Sequence, residues 1–531
     1  MNPSDSPDRP RRWLPAVAAV VFAVAYTQPA LYYSNQNQYF LHGAALAGVG
    51  DLRSDWLANT ADPTPLFTAG VGLCERFVGP GPVYATFFGL TVVYFLSLWT
   101  LIQALPGRST TWVGELLTAA GLIATHGAAA RAASVSLAGV DYPWYFQAGV
   151  ANQYLLGAGL QPSVFGVFLL GAVAAYAHRR LRVAALCLAV ACTMHSTYLL
   201  SAATLTMGVL TVELAARRSQ LALGFAARTL LGVLPVVGYT LYLFDPFADP
   251  GQAARAQAIL AGERLPHHSE LTRWLDWCAW LQIAWIPLGL LLAWRTPWGR
   301  ALAVAALLAL ALTLLQDASG SPALALLFPW RLTAVLVPVA TALLAAGVVG
   351  RAERSLPDRL TIFAACLTIA FAVAGAVWVT GRGLAYQESA AETPLQAFVA
   401  AHRTPGDVYL LPTRVPVQPA KMRMTSASFV PVPQTDRPAI FELQRFRLAT
   451  GAAAYIDFKS IPYAPADVVE WHRRVKQCER WYATPDWDAG VLAEVRASGV
   501  THVVVPAGVA VASRDLVEVY RDPAYRLAAV R

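Results

Sequence analysis

Charge is what this sequence has least of. Only 14% of its 531 residues are Asp, Glu, Lys or Arg, against about a quarter in an ordinary soluble domain. With 56% hydrophobic residues and a mean hydropathy of +0.46, a wholly soluble fold is excluded. Lysine is scarcer still: Lys421, Lys459 and Lys476 are the only three, all beyond residue 400. The net charge of +8 is therefore carried mainly by arginines scattered among short loops. That scatter excludes the clustered basic face of a nucleic-acid-binding protein. There is no CxxC and no Cys/His metal spacing. Cys187, Cys192, Cys278 and Cys366 sit in apolar runs and Cys74 and Cys478 stand alone, so no disulfide framework is expected. No Gly-rich phosphate loop and no internal repeat occur. No clear small-x-small cleavage site ends the apolar run 13–33, which reads as a retained helix.

What is present is a series of membrane-length apolar runs, then a change of composition near residue 381. After the first run, further spans are expected near 82–104, 111–130, 163–178, 183–197, 199–215, 224–244, 274–294, 301–316, 324–349 and 360–381, eleven in all. The stretch 183–215 is too long for one span, and it is split at Met194-His195-Ser196-Thr197. The fold class is thus a polytopic α-helical membrane protein with a C-terminal soluble α/β domain. Its parts are a cytoplasmic tail over 1–12, a membrane domain over 13–381 and an extracytoplasmic domain over 382–531.

The arginines orient this layout. With the N-terminus inside, the inner loops hold Arg108, Arg179, Arg180, Arg182, Arg217, Arg218, Arg295, Arg300 and the group Arg351, Arg354 and Arg359. The outer loops hold fewer, and the positive-inside rule favours that arrangement. The loops 34–81, 131–162 and 245–273 then share the outer face with the C-terminal domain. The last of these loops, rich in Ala, Leu and Arg, is expected to carry an interfacial amphipathic helix. The C-terminal domain alternates helix and strand: helix 392–402, strand 407–411, a Pro-rich stretch 412–438, strand 452–458, helices 465–481 and 487–498, strand 501–506 and a hairpin of 516–520 and 525–530. Such alternation suggests a largely parallel sheet.

The polar residues gather in the outer segments. The first loop joins an amide cluster (Asn35 to Gln38) to His42, Asp51, Asp55 and Asp62. If DLRSDWL is helical, Asp51 and Asp55 lie on one face, where they could hold a divalent cation or one could act as a base. Alternatively both are solvated loop acids, with Asp51 neutralised by Arg53. His195 sits in an apolar segment, where a polar side chain must find a partner. The loop 141–163 mixes aromatics with Asn152 and Gln153, a combination that suits sugar rings and membrane interfaces alike. Arg331, in LLFPWRL, stands at the outer start of a span, where a guanidinium could grip a lipid phosphate or snorkel to headgroups. Asp457 and Lys459 alternate at a strand end and could close over the membrane site.

The segments DLRSDWLANTADPTP, ANQYLLGAGLQPS, FPWR and FRLATGAAAYIDFKSIPY, set on this architecture, resemble the GT-C class of membrane glycosyltransferases, in particular bacterial members of that shape. The resemblance implies a polyprenyl-phosphate-linked sugar as donor and a glycan, lipid or protein as acceptor. It implies a site on the outer face of the bacterial inner membrane. By that resemblance Asp55 or Asp51 matches the first-loop catalytic acid and Arg331 a donor-phosphate contact. The WWDYG motif of the oligosaccharyltransferases is absent. A transporter or flippase for a lipid-linked or polar substrate, and a non-catalytic envelope-assembly protein, are the alternatives.

Overall fold

The computed structural model describes residues 13–245, 249–353, 357–384, 386, 388–415, 431, 442–509, 511 and 513–531. The N-terminal tail, Arg354 and most of the Pro-rich stretch 412–438 lie outside the described residues. Six helices are long and apolar enough to cross a membrane: Gly81–Gln103, Ser196–Ala215, Ser219–Phe244, Pro297–Ser319, Pro322–Ala352 and Asp358–Gly381. The chain is a multi-pass membrane protein. The expected count of eleven is not reached on length. Leu14–Tyr26, Pro162–Ala177, Leu181–Met194 and Trp277–Ala293 are apolar but shorter, and Trp112–His126 continues into Ala128–Ala138 through a 56° bend. The expected split is found: one helix ends at Met194 and a new turn begins at Ser196, with His195 extended between them.

Composition explains these helices and their faces. On Ser219–Phe244 and Asp358–Gly381, Leu230, Leu231, Leu234, Phe363, Leu367 and Phe371 point away from the protein. Only lipid satisfies such a face, while the backbone stays bonded within the helix. Inside the bundle, small residues let helices touch. A Cβ on Gly208 would lie 2.2 Å from the Ala301 carbonyl oxygen, and one on Gly289 2.4 Å from Ala340 Cα. Close backbone approach of this kind drives helix association where lipid removes the hydrophobic gain.

The C-terminal domain holds five strands: β1 (Val408–Leu410), β2 (Ala453–Ala454), β3 (His502–Pro506), β4 (Leu516–Arg521) and β5 (Tyr525–Val530). They run in the order β2-β1-β3-β5-β4. The sheet is mixed, not largely parallel: β1 pairs parallel with β2 and β3, but β5 is antiparallel to both β3 and β4. The tight turn after Arg521 permits only an antiparallel pair. The strand expected over 452–458 keeps two residues. The chain then leaves the sheet and carries Asp457 and Lys459 towards the loop 245–273, where Arg264 bonds the Lys459 carbonyl.

That loop's apolar stripe has a protein partner. Its helix Pro250–Ile259 packs on Pro465–Ala483, with Ala256, Ile259 and Leu260 inside the C-terminal core around Trp471 and Trp481. The i, i+3, i+4 spacing of those three residues makes one apolar stripe, and the neighbouring helix covers it. Glu263 then pairs with Lys476 at 3.2 Å.

Candidate functional site

The first loop meets the C-terminal domain backbone to backbone. Asp51 N–H donates to the Gly451 carbonyl at 2.8 Å, and Gly50 sits at φ +54°. A Cβ at Gly50 would lie 2.2 Å from that carbonyl oxygen, so only glycine fits. The Asp51 carboxylate accepts from Ser54 Oγ at 2.8 Å and from Gly406 N–H at 2.9 Å. Asp55 is fully buried and salt-bridged to Arg447 at 2.6 Å. Its Oδ1 accepts from Leu57 and Ala58 N–H, and its Oδ2 from Arg447 Nε and Ala454 N–H. Arg447 also bonds Asp457, whose other oxygen accepts from Ser460 N–H at 2.6 Å.

These contacts correct two expectations. Leu52–Ser54 is a single 3₁₀ turn and Asp55 leaves it in an extended conformation, so the two acids do not share a helical face. They serve different partners. Asp55 has no oxygen left for an acceptor hydroxyl, so it is a strut and not a free base. A divalent cation does not fit there either: among the described residues no three His, Cys, Asp or Glu side chains gather as a metal site.

The unbalanced charge lies elsewhere. Arg331 stands in a short turn, Pro329–Leu332, directly before the helix Thr333–Ala352. Its Nε donates to Gln153 Oε1 at 2.8 Å, its Nη1 bonds Thr197 and faces His195 Nε2 at 3.5 Å, and the rings of Phe328 and Tyr198 lie 5.0 and 5.6 Å from the guanidinium carbon. No carboxylate pairs with it among the described residues. Arg264 is 5% exposed and also forms no ion pair among the described residues. Its Nη2 donates to the Lys459 carbonyl at 2.6 Å, Phe458 lies beneath it at 5.3 Å, and its Nε makes no bond. Burial outweighs the pull of the nearby Asp457 carboxylate and pushes Arg264 down to about 10. Burial, with Arg264 beside it, lowers Lys459 to about 7 against the pull of Asp457. The hydroxyls of Tyr39 and Tyr463 feel both guanidiniums.

Histidines complete the surround. His267 and His268 stack at 4.1 Å, and burial beside Arg264 holds both well below their ordinary value, His267 at about 3. His268 Nδ1 donates to the Ala151 carbonyl at 2.8 Å, and the Gln153 side chain, which accepts from Arg331, lies 3.0 Å from the same nitrogen. His195 packs edge-on to Tyr39 at 5.8 Å. Asn152 stands apart: at φ +53° it shapes a turn and accepts from Trp144 Nε1 at 3.2 Å. Of the sequence-selected residues, Arg331, His195, Gln153 and Lys459 converge, while Asp51, Asp55 and Asp457 dock the two parts of the chain. Arg264, His267 and His268 were not anticipated. The signal available was an arginine and a His-His pair flanking one proline in an outer loop. Arg447 was hidden in the quoted FRLATG segment.

A domain of unknown function (DUF6798) matches residues 390–478. The matched segment holds Arg447, Asp457, Lys459 and Tyr463, the C-terminal side of the site. No curated protein matches the chain.

Proposed function

We propose that the protein is an integral membrane glycosyltransferase that takes its sugar from a polyprenyl-phosphate donor. The observation that carries this reading is the pair of buried guanidiniums, Arg331 and Arg264, neither of which forms an ion pair among the described residues; Asp457, the acid that acts on Arg264, is already bonded to Arg447. Leaving such charges unpaired is costly unless an anion completes the site. Arg331 heads a membrane helix and Arg264 belongs to a loop gripped by the C-terminal domain, so a lipid phosphate at the membrane boundary suits both. The leaving phosphate gains negative charge as the glycosidic bond breaks, and preformed cations stabilise that charge most in the transition state. Lys459 adds a third charge when protonated. We place the site on the outer face of the bacterial inner membrane, with eleven crossings, the N-terminus inside and the acceptor a glycan, lipid or protein.

Native mass spectrometry of protein extracted gently from its own membrane tests the reading. Retention of a polyprenyl phosphate or its glycosylated form is expected, and Arg331→Ala and Arg264→Ala should each release it. Retention of bulk phospholipid alone, with no difference between wild type and variants, would count against it.

A further inference from the structure

The first loop carries a helix with two apolar faces, and the described residues cover only one. Pro65–Leu73 continues through the wider turn Cys74–Val78 towards the membrane span Gly81–Gln103. Its inner face is held by protein. Phe67, Thr68 and Val71 are buried, and the Phe67 ring lies 5.7 Å from Phe40 and 6.4 Å from Phe165. A Cβ on Gly43 would lie 2.8 Å from the Thr68 carbonyl oxygen, so Leu41–Ala47 rests directly on this face. The outer face is bare. Leu66, Leu73, Phe77 and Val78 are 59%, 60%, 69% and 67% exposed. Leu66, Ala69, Gly70 and Leu73 recur at i, i+3, i+4 and i+7, which makes one helical stripe, and Phe77 and Val78 prolong it. Leu46, also largely exposed, adjoins the helix at Gly72. The segment has two charged residues: Glu75 bonds the Tyr32 hydroxyl, and the exposed Arg76 lies 5.2 Å from the Phe77 ring.

An apolar stripe alone does not name its cover, but the attachments of this one do. At the front, the Tyr239 hydroxyl donates to the Asp62 carbonyl at 2.5 Å. Tyr239 belongs to the last two turns of the span Ser219–Phe244, beside the exposed Leu241 and Tyr242. At the back, only Gly79 and Pro80 separate Val78 from the span Gly81–Gln103. In the eleven-crossing arrangement Phe244 and Gly81 stand on the same side of the membrane. A helix tied at both ends to the mouths of membrane spans runs along the bilayer boundary. Tyrosines at such a boundary set an aromatic ring in the headgroup layer.

We infer that residues 65–78 form a bilayer anchor. The helix lies in the leaflet on the side of the C-terminal domain, with Leu66, Leu73, Phe77 and Val78 among the acyl chains. Arg76 reaches back to the lipid headgroups, its stem along the apolar face. The anchor carries Leu41–Ala47 on its inner face, and Tyr39 stands just before that helix. Phospholipid therefore fixes the height of the first loop, and with it the Tyr39 wall of the cation site.

The test uses the full chain in nanodiscs of phosphatidylcholine and phosphatidylglycerol. Nitroxide labels go on Leu73→Cys and Phe77→Cys in a background with the native cysteines replaced. Ala497→Cys, on the exposed face of the C-terminal domain, is the control in water. Oxygen concentrates in lipid and a nickel chelate stays in water. At Leu73 and Phe77 collisions with oxygen should outnumber those with nickel and place both labels about 5–10 Å into the boundary between headgroups and acyl chains. At Ala497 the order should reverse. Collisions dominated by nickel at the two loop positions would put the helix in water and overturn the inference. Few collisions with either reagent would mean that a second copy or another protein covers the stripe, and that overturns it as well. A diazirine-bearing residue at Leu73, in a chain with its cysteines intact, gives a second reading by mass after illumination. A phospholipid adduct supports the anchor; a covalent dimer, or addition of water alone, sinks it.

Discussion

Asp55 shows how a residue type can mislead when its neighbours are unknown. An acid in an outer loop is a candidate base only if a lone pair and a path to it remain. Here four donors fill its oxygens and no surface is left. Asp55→Asn would put an amide N–H₂ either against Arg447 and the Ala454 N–H or against the N–H groups of Leu57 and Ala58. Removing one partner of a buried ion pair costs roughly 3–5 kcal/mol. The variant should therefore lose thermal stability and expose the C-terminal domain to limited proteolysis. Asp55→Asn combined with Arg447→Met should lose less than the sum of the two single changes. An Asp55→Asn protein as stable as wild type would remove the strut. Lys459 carries a prediction of another kind. Its ammonium is lowered to about 7, so it is charged at pH 6 and largely neutral at pH 8. Sulfate, as a probe of the cation site, keeps a constant charge over that range and favours the ammonium, so binding draws in a proton wherever free Lys459 is neutral. Sulfate affinity should hold below pH 7 and fall above it, by about tenfold per pH unit at most for one linked proton. Lys459→Arg should flatten the profile. An unchanged slope in that variant would mean another group titrates.

At the scale of elements, what was legible followed from period and length. Helix 393–402, helix 465–483 and the final hairpin stand within two residues of their expected limits, because each is bounded by proline, glycine or a charged turn. The break at His195 was legible from length alone, since one helix could not use so long an apolar run. The failures share a cause: each needed a partner from distant sequence. The 452–458 strand reads as seven residues of β propensity, yet its last four are spent on Gln477, Thr413, Arg447 and Arg264. The helix Pro250–Ile259 reads as membrane-surface because its stripe is apolar, and apolar stripes do not name what covers them. The candidate site failed in the same way. Arg331 was visible because an arginine in an apolar run is anomalous. Arg264 was not, since an arginine in a polar loop is ordinary until the fold buries it without an ion pair.

For the whole molecule, the shared site constrains topology. Arg331, before Thr333–Ala352, and Arg264, in the loop after Ser219–Phe244, act on the same tyrosines, as does the first loop, which carries Tyr39. These segments must then face one side of the membrane together with the C-terminal domain. In the proposed eleven-crossing topology the arginine-rich turns at 179–182, 217–218 and 295–300 face the other. The short helices Leu181–Met194 and Trp277–Ala293 are what make this count work: each must carry the chain across, although 14 and 17 residues span less than the hydrocarbon core at about 1.5 Å each. Their neighbours supply the remainder, since Leu181–Met194 packs between Val167–Ala177 and Ser219–Phe244 and so reaches lipid over only part of its surface. The prediction is a labelling pattern in intact cells, in a background with the native cysteines replaced. Ala497→Cys, on the exposed face of the C-terminal domain, should react with an impermeant maleimide. Arg217→Cys, at an exposed turn on the opposite side, should react only after the membrane is opened. Labelling of both in sealed cells would mean that one short helix turns back without crossing. In that case the loops on either side of it could not meet at Tyr39, and the cation site as drawn would lose one of its walls.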